Sequence, residues 1–328
     1  MNFFIRIILI LFSKTNILVG GQAVIEGVMM RVPGFYATSV RKPNGTIVTK
    51  RQEFKSITTS NKILALPIIR GMIHLFESLR IGFGTLQWSA DISEEEQIST
   101  NKFVDFFLNI LAISIGLGLF FALPLFIASL MTNTPSSQDV EHNIIYNIFA
   151  GFSRICIFLI YLLLISLSKD VKRLFQYHGA EHKVVYNFES GINLTIENAK
   201  EFPRQHPRCG TSFVFIVMFI GIIIFACLDT IIAYLTGIEL TVLLRMLIHI
   251  PAIPLVAGVS YEFLKLSAKH KNNIVLKMLS RPGLWLQNIT TKDPDDQQIE
   301  VSVSALEAAF GDDIEKFKGR QFTADAIG

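Results

Sequence analysis

Long apolar runs alternate with basic connecting segments along this chain. Four of the runs reach about 20 residues, which is the length a helix needs to cross the hydrocarbon core of a bilayer. They cover residues 106–131, 144–168, 213–235 and 240–264. The pattern therefore predicts a mainly α protein built on a four-helix transmembrane bundle at residues 103–264.

The segments between the spans differ sharply in charge. Lys and Arg together number twelve in residues 1–102, seven in 169–211 and nine from residue 265 onward. The connectors at 132–143 and 236–239 carry neither. Because basic segments stay on the cytoplasmic side of a membrane, this asymmetry predicts that both termini and the 169–211 loop are cytoplasmic.

The first hundred residues predict an interfacial segment at 1–19 and a cytoplasmic α+β region at 20–102. Within that region, strand-like segments flank Asn44 and Gly45, a pair that favours the tight turn of a β-hairpin. Glu26 interrupts the apolar stretch that precedes the hairpin. It is either a ligand or catalytic acid, or a carboxylate satisfied at the edge of a strand.

Three further helices are predicted outside the bundle. Residues 61–90 carry apolar positions at helical spacing interrupted by charge, and residues 268–286 alternate basic and apolar residues, as membrane-surface helices do. A third helix is predicted to begin at Pro294, with Asp293 as its N-cap. Residues 265–328 are thus expected to form interfacial and cytoplasmic helices.

Composition agrees with the membrane class. The chain is 51% hydrophobic and 17% charged, and its net charge is only +3. The lipid bilayer is therefore its predicted environment, and the charge balance gives no indication of a nucleic-acid partner. Three cysteines, Cys156, Cys209 and Cys227, form no disulfide framework and are expected to be reduced.

The candidate chemistry lies in the loop at 169–211. His178, Glu181 and His182 form an H-x-x-E-H pattern, the signature of inverted zinc proteases. In a helix the two histidines share one face and can bind one ion, and Glu181 lies beside them as a general base. His206 and Cys209 follow at H-x-x-C spacing and add two ligand types. The loop predicts a site for zinc or another divalent transition metal.

The ligand set has alternatives that the spacing leaves open. With Glu262 or His206 as the third ligand, a fourth position stays free for substrate, as in hydrolases. If His178, His182, His206 and Cys209 all bind, the site is closed and structural. The histidines could also be interfacial side chains that hold no metal.

Two charges inside the predicted spans suggest a pair. Counted inward from the outer ends at about 1.5 Å per residue, Arg154 and Asp229 lie at similar depths. Arg245 and His249 fall in the same outer half of the bundle. Because an unpaired charge in a bilayer is costly, the sequence predicts an intramembrane ion pair between Arg154 and Asp229 that stabilises the bundle.

Four blocks of this sequence closely resemble the YqhQ-like family of bacterial membrane proteins. They are GGQAVIEGVMMR at residues 20–31, HGAEHK at 178–183, PRCGTSF at 207–213 and PGLWLQ at 282–287. The resemblance implies a multi-pass protein of the bacterial inner membrane, or alternatively of a plastid membrane. Its members have no established reaction and have been described as predicted metal-dependent enzymes, and His178, Glu181, His182 and Cys209 occupy matching positions.

Three functions remain open at this point. The first is a metal-dependent membrane hydrolase whose site lies at the cytoplasmic surface. The second is a zinc site that only ties the second span to the third. The third is a scaffold without enzymatic activity that binds other membrane proteins during their insertion or turnover.

Overall fold

The structure is a computed structural model that describes residues 19–94, 102–132, 139–206, 209–269 and 274–316. The strands are β1 (Gly20–Val24), β2 (Gly27–Val32), β3 (Phe35–Arg41) and β4 (Ile47–Glu53). The helices are α1 (Ile69–Ser93), α2 (Lys102–Leu117), α3 (Leu123–Met131), α4 (Val140–Ile165), α5 (Lys169–Ser190), α6 (Ile196–Lys200), α7 (Gly210–Thr236), α8 (Val242–Lys269), α9 (Ile274–Thr290) and α10 (Asp296–Phe310). Apart from Val19, the predicted interfacial segment at 1–19 lies outside the described residues.

The strands form one antiparallel sheet in the order β1-β2-β3-β4. The predicted hairpin is confirmed as β3 and β4, which turn through Gly45 at a φ of +85°. The apolar stretch around Glu26 forms a second hairpin, β1 and β2. Glu26 itself occupies the turn with a φ of +51°, a strained value for a residue with a side chain.

The predicted four-helix transmembrane bundle is confirmed. Among the described residues, four helical stretches are long and apolar enough to span a membrane: Phe106–Met131, Val140–Ile165, Phe213–Thr236 and Val242–Leu266. The first stretch joins α2 to α3 through the π-helical turn Gly118–Ala122. The spans expose many large apolar side chains, as lipid-facing helices do.

A second core lies outside the spans, where the sheet packs against α5 and α10. Its buried members include Val28, Met30, Ala37, Tyr177, Ala180, Val184, Ile299, Ala305 and Leu306. Helix α5 follows the end of α4 after only three residues, and α7 begins at Gly210, so this unit lies at the C-terminal end of α4 and the N-terminal end of α7.

Close backbone contacts fix α5 against the end of α9. A Cβ atom at Gly179 would lie 2.1 Å from the carbonyl oxygen of Lys292, so only glycine permits this approach. The amide of Lys292 donates to the carbonyl oxygen of Phe175 at 2.8 Å. These contacts bring His178 next to Thr290, the last residue of α9.

Helix α10 begins slightly later than predicted. Its N-cap is Asp295, which forms a capping box with Gln298, so the assignment of Asp293 as the cap was wrong. The backbone amide of Asp295 donates in turn to Oε1 of Gln298, three residues after the cap, at 2.9 Å. Asp293 instead forms an ion pair with Arg204.

Asp229 on α7 lies at the centre of a buried polar cluster within the spans. Its carboxylate pairs with Arg245, and His249 Nε2 lies 3.0 Å from its Oδ1. Asn147 donates to the same carboxylate at 2.8 Å, and Asn143 accepts from Arg245 at 2.7 Å. This cluster joins α4, α7 and α8.

The predicted Arg154–Asp229 pair was therefore wrong. The Arg154 Nε atom instead donates to the carbonyl oxygen of Phe120 at 3.0 Å, in the π-helical turn. The residue of α4 that reaches Asp229 is Asn147. It lies seven positions before Arg154, or about 10 Å along the helix. The estimated depth of Arg154 in the membrane was therefore wrong by about 10 Å relative to Asp229. Arg245 pairs with Asp229 instead, because α8 folds back directly beside α7.

Candidate metal centre

Three predicted ligands converge where α5 meets the start of α7. His178 and His182 lie four residues apart on α5, and their ring centroids are 4.4 Å apart. Cys209 is the N-cap residue of α7, and its sulfur lies 3.1 Å from His178 Nε2. One donor atom from each residue lies within 4.8 Å of the other two, so one ion could contact all three.

The hydrogen bonds of the two imidazoles prepare them for a metal. His178 Nδ1 lies 2.8 Å from the carbonyl oxygen of Thr290, and His182 Nδ1 contacts that of Arg204. A carbonyl oxygen only accepts, so each Nδ1 carries the proton and each Nε2 keeps its lone pair. Metal-binding histidines are held by the same kind of second hydrogen bond.

Glu181 lies on the same helix between the two histidines in sequence and is buried. Burial raises the pKa of its carboxyl group to about 7, although His178 and a hydrogen bond from the Gly21 amide oppose the rise. A carboxyl group with this pKa can both accept and release a proton near neutral pH. That property suits a general acid or base.

All of these groups line one cavity of about 340 Å³. Its walls come from β1, α5 and the first turn of α7, and they include Gly21, Gln22 and Thr211. At Gly21 a Cβ atom would lie 2.5 Å from the carbonyl oxygen of Met29 and 3.0 Å from Glu181 Cγ. The glycine thus lets the edge strand approach Glu181 closely.

His206 lies beside the cluster but outside the group of three. It is buried and lines the same cavity, and its ring centroid lies 5.6 Å from that of His182. Its Nε2 atom faces the Glu189 carboxylate at 3.7 Å. Gln287 on α9 bonds both the amide and the carbonyl of His206, at 2.7 and 2.8 Å.

Glu262 does not join the site, and its prediction as a third ligand was wrong. Both of its carboxylate oxygens bond Arg70, with Nε donating to Oε1 at 2.6 Å. Arg70 lies on α1, 192 positions away in the sequence. The pairing joins α1 to the C-terminal part of α8, and local sequence offers no sign of a partner so distant.

Glu26 also lies outside the cavity walls. Its carboxylate pairs with Arg173 on α5, and Tyr177 donates to it at 3.2 Å. The pair ties the β1–β2 turn to α5. The structure therefore supports the interpretation of Glu26 as a carboxylate whose hydrogen-bonding partners are other side chains, rather than as a ligand or catalytic acid.

Sequence reasoning missed the groups that orient the ligands. The carbonyl oxygens of Thr290 and Arg204 and the amide of Gly21 belong to the backbone, which leaves no mark in the residue pattern. Glu189 was missed as the partner of His206, although it lies on α5 only two turns beyond His182. The Gly20-Gly21 pair at the start of β1 was the one available signal of a close approach.

Comparisons with known proteins support family membership but name no reaction. A family model described as "Protein of unknown function (DUF1385)" matches residues 66–312. The chain is 32% identical over 301 residues to "Uncharacterized protein YqhQ" of Bacillus subtilis (strain 168). This match covers 88% of the chain and 90% of that relative. No solved structure matches the chain.

Proposed function

The chain belongs to the DUF1385 family of proteins of unknown function, and we propose that it is a zinc-dependent membrane hydrolase. The observation that carries the proposal is the convergence of His178, His182 and Cys209. The Nδ1–H group of each histidine donates to a backbone carbonyl oxygen. We further propose that the site faces the bacterial cytoplasm, because the basic segments of the chain lie on its side of the spans.

The donor set fits zinc better than a hard cation. Two neutral imidazoles and a thiolate are preferred zinc ligands, whereas Mg²⁺ and Ca²⁺ prefer oxygen. Three protein ligands are typical of catalytic zinc sites, which keep a further position open. Zinc bound in this way would supply Lewis-acid activation of water and of the substrate's carbonyl or phosphoryl group.

The chain's own residues would then divide the remaining work. His178 and His182 hold their lone pairs toward the cluster because Thr290 and Arg204 fix their ring orientation. Glu181 Oε accepts a proton from water and returns it to the leaving group, as its pKa near neutrality favours. The buried position of Glu181 excludes bulk water from this exchange.

A closed structural zinc site is the second candidate, and one observation weighs against it. It would need His206 as the fourth ligand, but His206 Nε2 already faces Glu189 at 3.7 Å. Gln287 holds the backbone of His206 through two hydrogen bonds, so the ring would have to turn on a fixed backbone. A scaffold for other membrane proteins would need neither the converging lone pairs nor Glu181.

The Glu181→Gln variant tests the proposal. Glu181 is not one of the three ligands, so the variant should keep its zinc, measured by inductively coupled plasma mass spectrometry. It should lose hydrolysis of p-nitrophenyl butyrate and bis(p-nitrophenyl) phosphate by about a hundredfold or more, since general-base catalysis contributes about 10²–10⁴. The matched control is Glu262→Gln, because Glu262 lies outside the site. This variant should keep both its zinc and its hydrolytic activity.

Two results would contradict the proposal. One is wild-type protein that holds zinc yet hydrolyses neither ester faster than buffer. The other is unchanged hydrolysis in Glu181→Gln. Either result would favour the structural site or the scaffold.

A further inference from the structure

Strand β1 is an edge strand of the sheet and pairs on one side only, with β2. The two-residue turn between these strands makes Val24 and Gly27 a hydrogen-bonded pair. Because hydrogen-bonded and non-bonded positions alternate along an antiparallel strand, Gly21 and Ala23 direct their N–H and C=O groups away from β2. These groups form the outer edge of β1.

Only part of this outer edge has hydrogen-bonding partners. The amide of Gly21 donates to Glu181, and the amide of Ile25, just after β1, donates to Ser89 Oγ at 3.1 Å. Among the described residues, the C=O group of Gly21 and both backbone groups of Ala23 have no partner. Backbone groups of folded proteins are nearly always paired, and an unpaired strand edge is a template for another strand.

The outer edge of β1 borders the metal centre. Residues 19–23 all line the cavity of about 340 Å³ that also holds His178 and Glu181. Gly20 and Gly21 are exposed, so a ligand can reach the edge. A strand added to the sheet would lie about 4.8 Å from β1. A peptide bond of that strand opposite Gly21 would therefore lie beside Glu181, which accepts from the Gly21 amide.

The two faces of the sheet would give an added strand two different side-chain environments. A Cβ atom at Gly21 would lie 3.0 Å from Glu181 Cγ, so the metal centre is on the face to which Gly21 points. Gly20 points to the other face and lies directly opposite Arg31 of β2. On that face Arg31 and residues 19–22 line a second cavity of about 500 Å³. Side chains of an extended ligand alternate between the faces, so every second one would point toward this cavity.

The second cavity favours an acidic side chain. The guanidinium of Arg31 stacks on the Phe54 ring at 4.1 Å, and among the described residues it makes no ion pair and donates no hydrogen bond. Gly20, its opposite residue on β1, has no side chain to cover it. The carboxylate of Glu77 instead accepts hydrogen bonds from the loop after β4. Lys55 adds a second cation to the cavity wall.

We propose that an extended polypeptide segment binds as a fifth strand at the outer edge of β1 and is the substrate of the neighbouring metal centre. Backbone hydrogen bonds to Gly21 and Ala23 align the segment, and an acidic side chain enters the cavity of Arg31. The inference rests on the proposed function in one respect, the hydrolysis of the bound segment. Hydrolysis of one amide bond consumes one water. The water's hydroxyl bonds to the carbonyl carbon, the carbon–nitrogen bond breaks, and Glu181 passes the water's proton to the leaving nitrogen.

Binding of fluorescein-labelled hexapeptides to the full chain in a neutral detergent tests the inference. Fluorescence polarisation is measured with Glu181→Gln, which prevents cleavage. A peptide of alternating valine and glutamate should bind, and replacing glutamate with lysine should weaken binding by about tenfold, because Arg31 and Lys55 repel the added cations. Methylation of one peptide amide at a time should weaken binding by about tenfold at every second position, because only alternate N–H groups face β1.

A pair of proline variants in the same background tests the edge itself. Ala23→Pro removes an outward N–H but no hydrogen bond of the β1–β2 ladder, so it should reduce peptide affinity by about tenfold. The matched control is Thr49→Pro, which removes an outward N–H from β4 at the opposite edge and should leave affinity unchanged. Equal affinities of the two variants, or a methylation scan without alternation, would overturn the inference.

A further variant separates this inference from the proposed function. Cys209→Ser should lose zinc but keep peptide binding, because the strand contacts come from β1. If the peptides bind with the alternating pattern but wild type hydrolyses neither peptides nor p-nitrophenyl esters, the hydrolase proposal fails and the strand site stands. If the esters are hydrolysed and no peptide binds, only the strand site fails. Wild type that binds the peptides and hydrolyses the esters, yet leaves the peptides intact by mass spectrometry, would overturn the assignment of polypeptide as substrate.

Discussion

Replacing Asp229 with Asn should strongly destabilise the membrane bundle. The side chains of Asp229, Arg245 and His249 are fully buried, and the carboxylate provides the only acidic partner of Arg245 among the described residues. Asp229→Asn keeps the shape but leaves the guanidinium buried without a counter-ion. Breaking a buried pair in this way costs about 3–5 kcal/mol.

The effect can be measured as a change in melting temperature in detergent. A loss of this size should lower Tm by about 6–10 °C in a chain of this length. Arg154→Met is the comparison variant, because Arg154 Nε donates to one backbone carbonyl and its buried Nη2 atom has no partner. It should cost less than about 1.5 kcal/mol, the value of a single hydrogen bond.

A double-mutant cycle identifies the partner directly. Asp229→Asn combined with Arg245→Met should be much less destabilised than the sum of the single variants, since removing both charges leaves neither unpaired. Asp229→Asn combined with Arg154→Met should be additive within about 0.5 kcal/mol. Strong coupling to Arg154, with none to Arg245, would refute the cluster as described here.

Two further substitutions test local features of the fold. Gly179→Ala should lower Tm clearly, because its Cβ would clash at 2.1 Å with the Lys292 carbonyl, whereas Gly84→Ala, with open space around it, should be neutral or stabilising. Similar melting temperatures for the two variants would contradict the close packing of α5. Glu26→Gly should relieve the positive φ but lose the partly exposed pair with Arg173, so the two effects of about 1 kcal/mol should nearly cancel in Tm. A large loss of stability would mean that the pair contributes more than its exposure suggests.

The spans and the β3–β4 hairpin were predictable because their signals are local. Twenty consecutive apolar residues must cross the bilayer as a helix, and Asn44-Gly45 supplies the positive φ of a tight turn. The β1–β2 hairpin has no such signal, since it turns at Ile25 and Glu26. The contacts made by β2 on β3 and α10 hold this strained turn, and these are tertiary contacts.

Some of the predicted metal ligands were predictable from sequence and others were not. His178 and His182 follow from helical spacing, and Cys209 from its place at the start of a span. Glu262 had the right residue type and depth, but an arginine on α1 takes its carboxylate. His206 had the right loop but faces Glu189. Residue type and spacing show which side chains could bind an ion, and only the packing shows which of them converge on one point.

The metal content of the purified protein tests the central claim most directly. Protein purified without chelators should contain about one zinc ion per chain, and His178→Ala/His182→Ala should contain almost none, since two of three ligands are lost. Glu262→Gln should keep its zinc because its carboxylate pairs with Arg70. Metal-free wild type, or full occupancy after both histidines are removed, would contradict the account.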